Sequence, residues 1–253
     1  MIHPGDNRRR GCIDCASGTE FSLAISMAFQ PIVDVEARTV FAQEALVRGP
    51  AGEPAGEVFR RVDHDNRYRF DQACRVTAIR LAASLNVDSL LSINFMPNAV
   101  YQPELCIRAS LEAAERFGFP QDRLMFEFTE GERCTDVLHI KRIVQCYRDL
   151  GFKTAIDDFG AGYSGLNLLA ELQTDYIKLD MALVRNIQDD RARQAIVRGV
   201  LQICADLGIN AIAEGIETKK ELHTLRELGV RLCQGYYFAK PAFEQLATIN
   251  WGD

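Results

Sequence analysis

The residues able to do chemistry in this chain are Glu44, Asn94, Glu127, the pair Asp157-Asp158, Lys178, Glu214 and Gln234. Each stands at or near the end of a short apolar run. Five of them are carboxylates: Glu44, Glu127, Asp157, Asp158 and Glu214. Brought to one place without counter-charge, they would repel and several would have to stay protonated. Divalent cations relieve that crowding. An all-oxygen donor set of carboxylates and the Asn94 amide suits hard ions, Mg²⁺ or Mn²⁺. Asp157 and Asp158 point in different directions, so the pair can serve two ions about 3.5–4 Å apart, the spacing of two-metal sites. The segment they open, DDFGAGYSGL (157–166), carries Gly160, Gly162 and Gly165. It reads as a pliable loop that closes over a ligand and approaches its phosphate. One acidic residue after a strand serves as a helix cap as readily as a ligand. Five on one rim do not fit that reading, because structural need does not place so many charges in a funnel of buried strands.

The elements that must hold these residues follow from the apolar runs MAFQPIVDV (27–35), TVFAQEALV (39–47), LLSINF (90–95), LMFEF (124–128), KTAID (153–157), YIKLD (176–180), NAIAE (210–214) and VRLCQ (230–234). Short continuous runs of this kind read as strands buried on both faces. Only Glu36-Ala37-Arg38 joins the first two, too short for a crossover helix, so they form an antiparallel hairpin. Amphipathic stretches at 71–85, 103–118, 137–151 and 191–208 fill later gaps, with Gly118, Gly151, Gly208 and Gly229 where helices stop. Eight strands alternating with helices predict an α/β fold, a modified TIM-type (β/α)₈ barrel with an antiparallel first strand. The candidate residues then lie at the carboxyl ends of the barrel strands, the face that carries barrel active sites.

The length of 253 residues fits one such barrel. A net charge of −6 argues against a nucleic-acid polymer as partner, though not against a small phosphate ligand whose charge a metal offsets. No stretch reaches the 18 or so apolar residues of a membrane helix, so no membrane partner is expected. Residues 1–20 read as a flexible N-terminal tail, and 21–253 as the barrel. The start, MIHPGDNRRRGCIDC, lacks an apolar secretory core, and a reducing cytoplasm is expected. Of eight cysteines, six lie in apolar segments; Cys12 and Cys15 form a CxxC pair that, with His3, is read either as two free thiols or as a metal or redox handle. Arg60, Arg61, Arg67 and Arg69 read as a solvated helix face, and His64, His139 and His223 have no expected catalytic role.

An ordered set of motifs resembles the EAL domain family. Glu44-Ala45-Leu46 with Arg48 is similar to its naming signature. The match continues through Ser92-Ile93-Asn94, Glu127-Phe128-Thr129-Glu130, Asp157-Asp158-Phe159-Gly160, Lys178-Leu179-Asp180, Ala213-Glu214-Gly215-Ile216-Glu217 and Gln234-Gly235-Tyr236. It spans roughly residues 25–246. Two positions depart from the pattern: Ala161 where Thr is common, and Gly49 where an aromatic often follows the Arg.

The resemblance implies metal-dependent hydrolysis of cyclic di-GMP to linear pGpG, with two divalent cations. By it, Glu44, Asn94, Glu127 and Asp157 bind one metal and Asp157 bridges to the second. Asp158 binds the second, and Glu214 completes the shell, directly or through water. Lys178 polarises water or phosphate, Gln234 orients them, Glu130 anchors the 157–166 loop and Glu217 supports the site. Gln30, Leu46, Arg48 and Asp71 grip the dinucleotide, with Arg48 on a phosphate, and Pro241 lies beside a guanine. A homodimer is implied, with its contact near the 157–166 loop and the helix after Asp180. Two other readings use the same barrel: a non-catalytic cyclic di-GMP receptor, marked by missing metal ligands, and a protein-interaction regulator. A lone barrel leaves room for an upstream sensor or regulatory protein.

Overall fold

The computed structural model describes residues 24–129, 137–162 and 165–252. Among them the chain lays down strands β1 (Ser26–Asp34) and β2 (Thr39–Arg48), then β3 (Leu90–Asn94), β4 (Leu124–Thr129), β5 (Lys153–Phe159), β6 (Tyr176–Leu179), β7 (Asn210–Ala213), β8 (Leu232–Cys233) and β9 (Ala242–Phe243). From β2 to β8 neighbouring strands pair in parallel. β1 runs antiparallel to both β2 and β8, which closes the barrel, and β9 adds on β1. The expected hairpin and eight-stranded barrel are therefore present. Asp34 fixes the hairpin turn: one carboxylate oxygen accepts from Glu36 N (3.0 Å) and Ala37 N (2.9 Å), the other from Arg231 Nε (2.7 Å).

The helices are α1 (Ala55–Phe59), α2 (Arg67–Ser84), α3 (Pro103–Cys106), α4 (Arg108–Phe117), α5 (Val137–Asp149), α6 (Gly165–Glu171), α7 (Met181–Val184), α8 (Arg191–Leu207) and α9 (Lys219–Glu227). Their ends follow from local chemistry. Asp190 caps α8 by accepting from Ala192 N and Arg193 N, and Gly208 stops it with φ +71°. Thr218 and Glu221 form a reciprocal capping box on α9. The stretch 103–118 is two helices instead of the single one expected. The break falls at Cys106 and Ile107, both buried at 1% exposure.

The strand period of two sorts the barrel into layers. Ile32, Ala42, Met125, Ala155, Ile212 and Leu232 form one buried cluster of their own. They plug the barrel interior, apart from the larger core between strands and helices. Two residues further along the same faces come Glu44, Glu127, Asp157, Glu214 and Gln234. The apolar layer thus forms the floor under a polar one, and the helices seal the outside.

Candidate active site

The polar layer centres on Lys178, which is 1% exposed. Its Nζ lies 2.7 Å from Glu214 Oε1, 2.8 Å from Glu127 Oε2, 3.1 Å from Asp157 Oδ1 and 3.3 Å from Glu44 Oε1. Glu44 is held by two amides: Gln234 Nε2 donates to its Oε2 (2.7 Å) and Asn94 Nδ2 to its Oε1 (3.1 Å). The Ser92 hydroxyl donates to Glu127 Oε1, leaving Oε2 to Lys178. Ser92 opens the Ser92-Ile93-Asn94 motif, and the sequence reading gives it no role of its own. Its place two residues before Asn94, on the same strand face, was the signal for it.

Asp157 and Asp158 reach the same space by a backbone device. Adjacent strand residues ordinarily point to opposite faces. Here the β5–β6 register shifts between Ile156 and Phe159, and Asp158 sits at φ +53°. A bulge of this kind re-aims side chains, and Asp tolerates the left-handed region better than most residues. Asp158 N also donates to Asp157 Oδ1 at 3.0 Å.

Two carboxylate triads result. In each of Glu44–Glu127–Asp157 and Asp157–Asp158–Glu214, one oxygen per residue lies within 4.8 Å of the others. Asp157 belongs to both. The local charge is unbalanced, with one ammonium against five carboxylates. Burial, opposed by Lys178 and reinforced by Glu44 and Asp157, pushes the Glu127 carboxyl up to about 8. Burial likewise holds Glu214 well above the usual carboxylate range. Burial and the neighbouring Asp157 raise Asp158 to about 6. Burial alone would lower the Lys178 ammonium, but Asp157, Glu127, Glu214 and Glu44 together raise it well above a free lysine. Further positive charge suits this site, and the oxygen-only donors fit hard divalent cations.

Beside the triads opens a cavity of about 440 Å³, walled by residues that include Glu44, Leu46, Phe70, Asp71, Asn94, Met96 and Asp157. Of the expected ligand contacts, Leu46 and Asp71 line it. Gln30 stands opposite Glu44 in the β1–β2 register and donates to Ala239 O (3.1 Å). Arg48 is half-buried and donates to Val47 O (2.8 Å). Pro241 is half-buried, directly before β9. Gln30, Arg48 and Pro241 are outside the cavity wall itself. Glu130 and the Cys12/Cys15 pair lie outside the described residues. Another cavity, of about 470 Å³, opens at the opposite end of the strands between Phe41, Tyr176 and Arg231, and none of the five clustered carboxylates borders it. Asp180, by contrast with its neighbours, caps α7 by accepting from Ala182 N at 2.8 Å. Glu217 pairs with Arg185 at the surface.

A family model, the EAL domain, matches residues 22–241 of the chain. The chain belongs to the EAL domain family. Its structure resembles that of a standalone EAL protein from Vibrio cholerae O395 in its c-di-GMP bound form, at 56% identity and TM-score 0.90, over 92% of this chain and 100% of that one. It also resembles the manganese/cy-diGMP complex of Klebsiella pneumoniae BlrP1, at 38% identity and TM-score 0.83, over 88% of this chain and 57% of that one. Among curated relatives, the cyclic di-GMP phosphodiesterase RocR of Pseudomonas aeruginosa is 34% identical over 167 residues, 66% of this chain and 42% of RocR. The blue light- and temperature-regulated antirepressor BluF of Escherichia coli is 29% identical over 225 residues, 88% of this chain and 56% of BluF. This EAL chain therefore spans about half, or less, of the length of those curated relatives. No helix among its described residues is long and apolar enough to cross a membrane.

Proposed function

We propose that this EAL barrel hydrolyses cyclic di-GMP to linear pGpG with the help of two divalent cations, Mg²⁺ or Mn²⁺. The observation that carries the reading is the sharing of Asp157 between two carboxylate triads at the mouth of one barrel. Glu44, Asn94, Glu127 and Asp157 would hold one cation, and Asp157, Asp158 and Glu214 the other. Such a pair of ions activates water near neutral pH, neutralises the phosphodiester and stabilises the leaving oxygen.

The chain's own residues do the rest. Lys178 keeps the carboxylates in register and supplies positive charge where the phosphoryl group becomes more negative. Gln234 and Asn94 fix Glu44 through its two oxygens. Gln234 has a buried Oε1 without a partner, an acceptor placed to orient water or ligand. The bases and backbone of the dinucleotide occupy the neighbouring cavity, gripped by Gln30, Leu46, Arg48 and Asp71, with Pro241 beside a guanine. In the reaction a water oxygen bonds to phosphorus, the bond to the 3′ oxygen breaks, and a proton reaches that oxygen to leave pGpG.

The exposed apolar side chains Leu166 on α6 and Met181 on α7, 58% and 54% exposed, support a homodimer through this edge of the barrel. In the family pattern Glu130 links that edge to the metals. The free thiols of Cys74, Cys106, Cys146, Cys204 and Cys233 fit a cytoplasmic location. An upstream sensor or regulatory protein remains part of the proposal.

Metal binding tests the reading without recourse to turnover. Equilibrium dialysis of the protein against Mn²⁺ in the presence of a non-hydrolysable cyclic di-GMP analogue is expected to retain two ions per chain. Glu44→Ala, which removes a donor of the first triad, is expected to retain fewer. Parent protein that retains no stoichiometric Mn²⁺ overturns the assignment.

A further inference from the structure

Arg75 is a charge that the fold does not explain. It is 0% exposed on α2, among the buried apolar residues Cys74, Ala78 and Ile79. Its Nη2 donates to Asp71 Oδ2 one helical turn earlier, and its Nη1 to the Tyr147 hydroxyl on α5 at 3.3 Å. Its Nε is buried without a partner. An apolar residue at such a position ordinarily serves stability as well as a buried ion pair does or better. The pair is nevertheless pinned on every side. Tyr147 packs against the rings of Phe126, Phe95 and Phe152, at centroid distances of 4.9, 5.5 and 6.0 Å. Asp71 Oδ1 accepts from Met96 N at 2.8 Å, two residues beyond Asn94.

Asp71, 2% exposed, is part of the wall of the cavity that Glu44 and Asp157 also line. A carboxylate offers about four acceptor positions, of which Arg75 and Met96 take two. We propose that Arg75 is a positioning residue, which holds the Asp71 carboxylate in place at the cavity wall as an acceptor for paired N–H donors of a purine base. The inference rests on the cyclic dinucleotide reading above, in which Asp71 already grips the ligand, and adds to it the buried residue that fixes that contact. The guanine edge presents N1–H and the 2-amino group side by side, two donors for one carboxylate. Adenine presents a ring acceptor there beside its amino group, which an ionised carboxylate repels.

The test uses the full chain with Mn²⁺ and three substrates: cyclic di-GMP, cyclic di-AMP and bis(p-nitrophenyl) phosphate, a diester without a base. Arg75→Met keeps an unbranched apolar stem and removes the charged guanidinium. It is expected to raise KM for cyclic di-GMP by about tenfold or more, the scale of one lost charged hydrogen bond, with kcat changed by less than about threefold. The efficiency ratio of cyclic di-GMP to the base-free diester falls by the same factor, and the preference over cyclic di-AMP narrows. Arg75→Lys recovers part of the loss. Tyr147→Phe, which removes one hydroxyl and keeps the ring packing, moves KM the same way by less; these two variants carry the test if Arg75→Met does not fold. An equal loss on all three substrates, or an unchanged KM, overturns the proposal. Binding of cyclic di-GMP in Ca²⁺, measured by calorimetry, reads the Arg75 effect without turnover. A parent that binds the dinucleotide but never cuts it contradicts the proposed function and leaves Arg75 to be judged by that binding ratio.

Discussion

Asp157→Asn is expected to reduce turnover of cyclic di-GMP by about 10³-fold or more, at or above the effect of deleting one preorganised charge-stabilising group from a reaction centre. The substitution keeps the volume of the side chain but replaces one carboxylate oxygen with an amide donor. Asp157 is the residue on which both triads depend. It also lies 3.1 Å from Lys178 and accepts from Asp158 N, so an amide there disturbs both triads and the bulge that joins them. Loss of any other carboxylate leaves one triad whole. Steady-state kinetics with saturating Mn²⁺ measure the effect, and circular dichroism checks that the barrel persists. Turnover within tenfold of the parent would show that the shared carboxylate is not where the chemistry happens.

Lys178→Met is expected to lower kcat by about 10²–10³-fold, the cost of removing a positive group aimed at developing charge. Methionine keeps the buried volume, so the loss reports charge instead of a cavity. A second effect separates this account from a purely catalytic lysine. The ammonium touches Glu44, Glu127, Asp157 and Glu214. Removing it leaves buried carboxylates uncompensated, which destabilises the metal-free protein by about 3–5 kcal/mol, as for other broken buried ion pairs. Protonation of Glu127 and Glu214 offsets part of this. Mn²⁺ supplies the missing charge, so the rise in Tm on adding Mn²⁺ will be larger for the variant than for the parent. Thermal melts in EDTA and in Mn²⁺ make the comparison. A variant that melts with the parent in EDTA would mean that Lys178 does not balance the cluster.

Much of this site was legible in the sequence because a barrel strand repeats every two residues. Ala42 and Glu44, Ala155 and Asp157, Ile212 and Glu214, and Leu232 and Gln234 each place an apolar residue and a polar one on the same face. The short link at Glu36-Ala37-Arg38 likewise dictated the antiparallel start. What the local pattern did not contain was set by tertiary pairing. The bulge that turns Asp158 toward Asp157 exists through the β5–β6 register, which neither strand's own residues state. β9 is two residues long and is defined by its contact with Ala28 and Phe29, too little for any periodicity. Arg75 stood four residues from Asp71, the spacing of a helical ion pair, but only the packing of α5 reveals that the pair is buried. The roles of Gln30, Arg48 and Pro241 rest on family resemblance: Gln30 lies within β1, Arg48 ends β2 opposite Ser26 and Pro241 precedes β9, and none of them lines the cavity.

The central claim is that crowded acidic side chains in this barrel recruit cations to open a cyclic dinucleotide. The purified chain incubated with cyclic di-GMP and Mn²⁺, with the products separated by chromatography beside an EDTA control, tests it most directly. The expected result is one molecule of pGpG for each cyclic di-GMP consumed, and none in EDTA. Cyclic di-GMP recovered intact after prolonged incubation with Mn²⁺, or cleaved equally fast in EDTA, would contradict it.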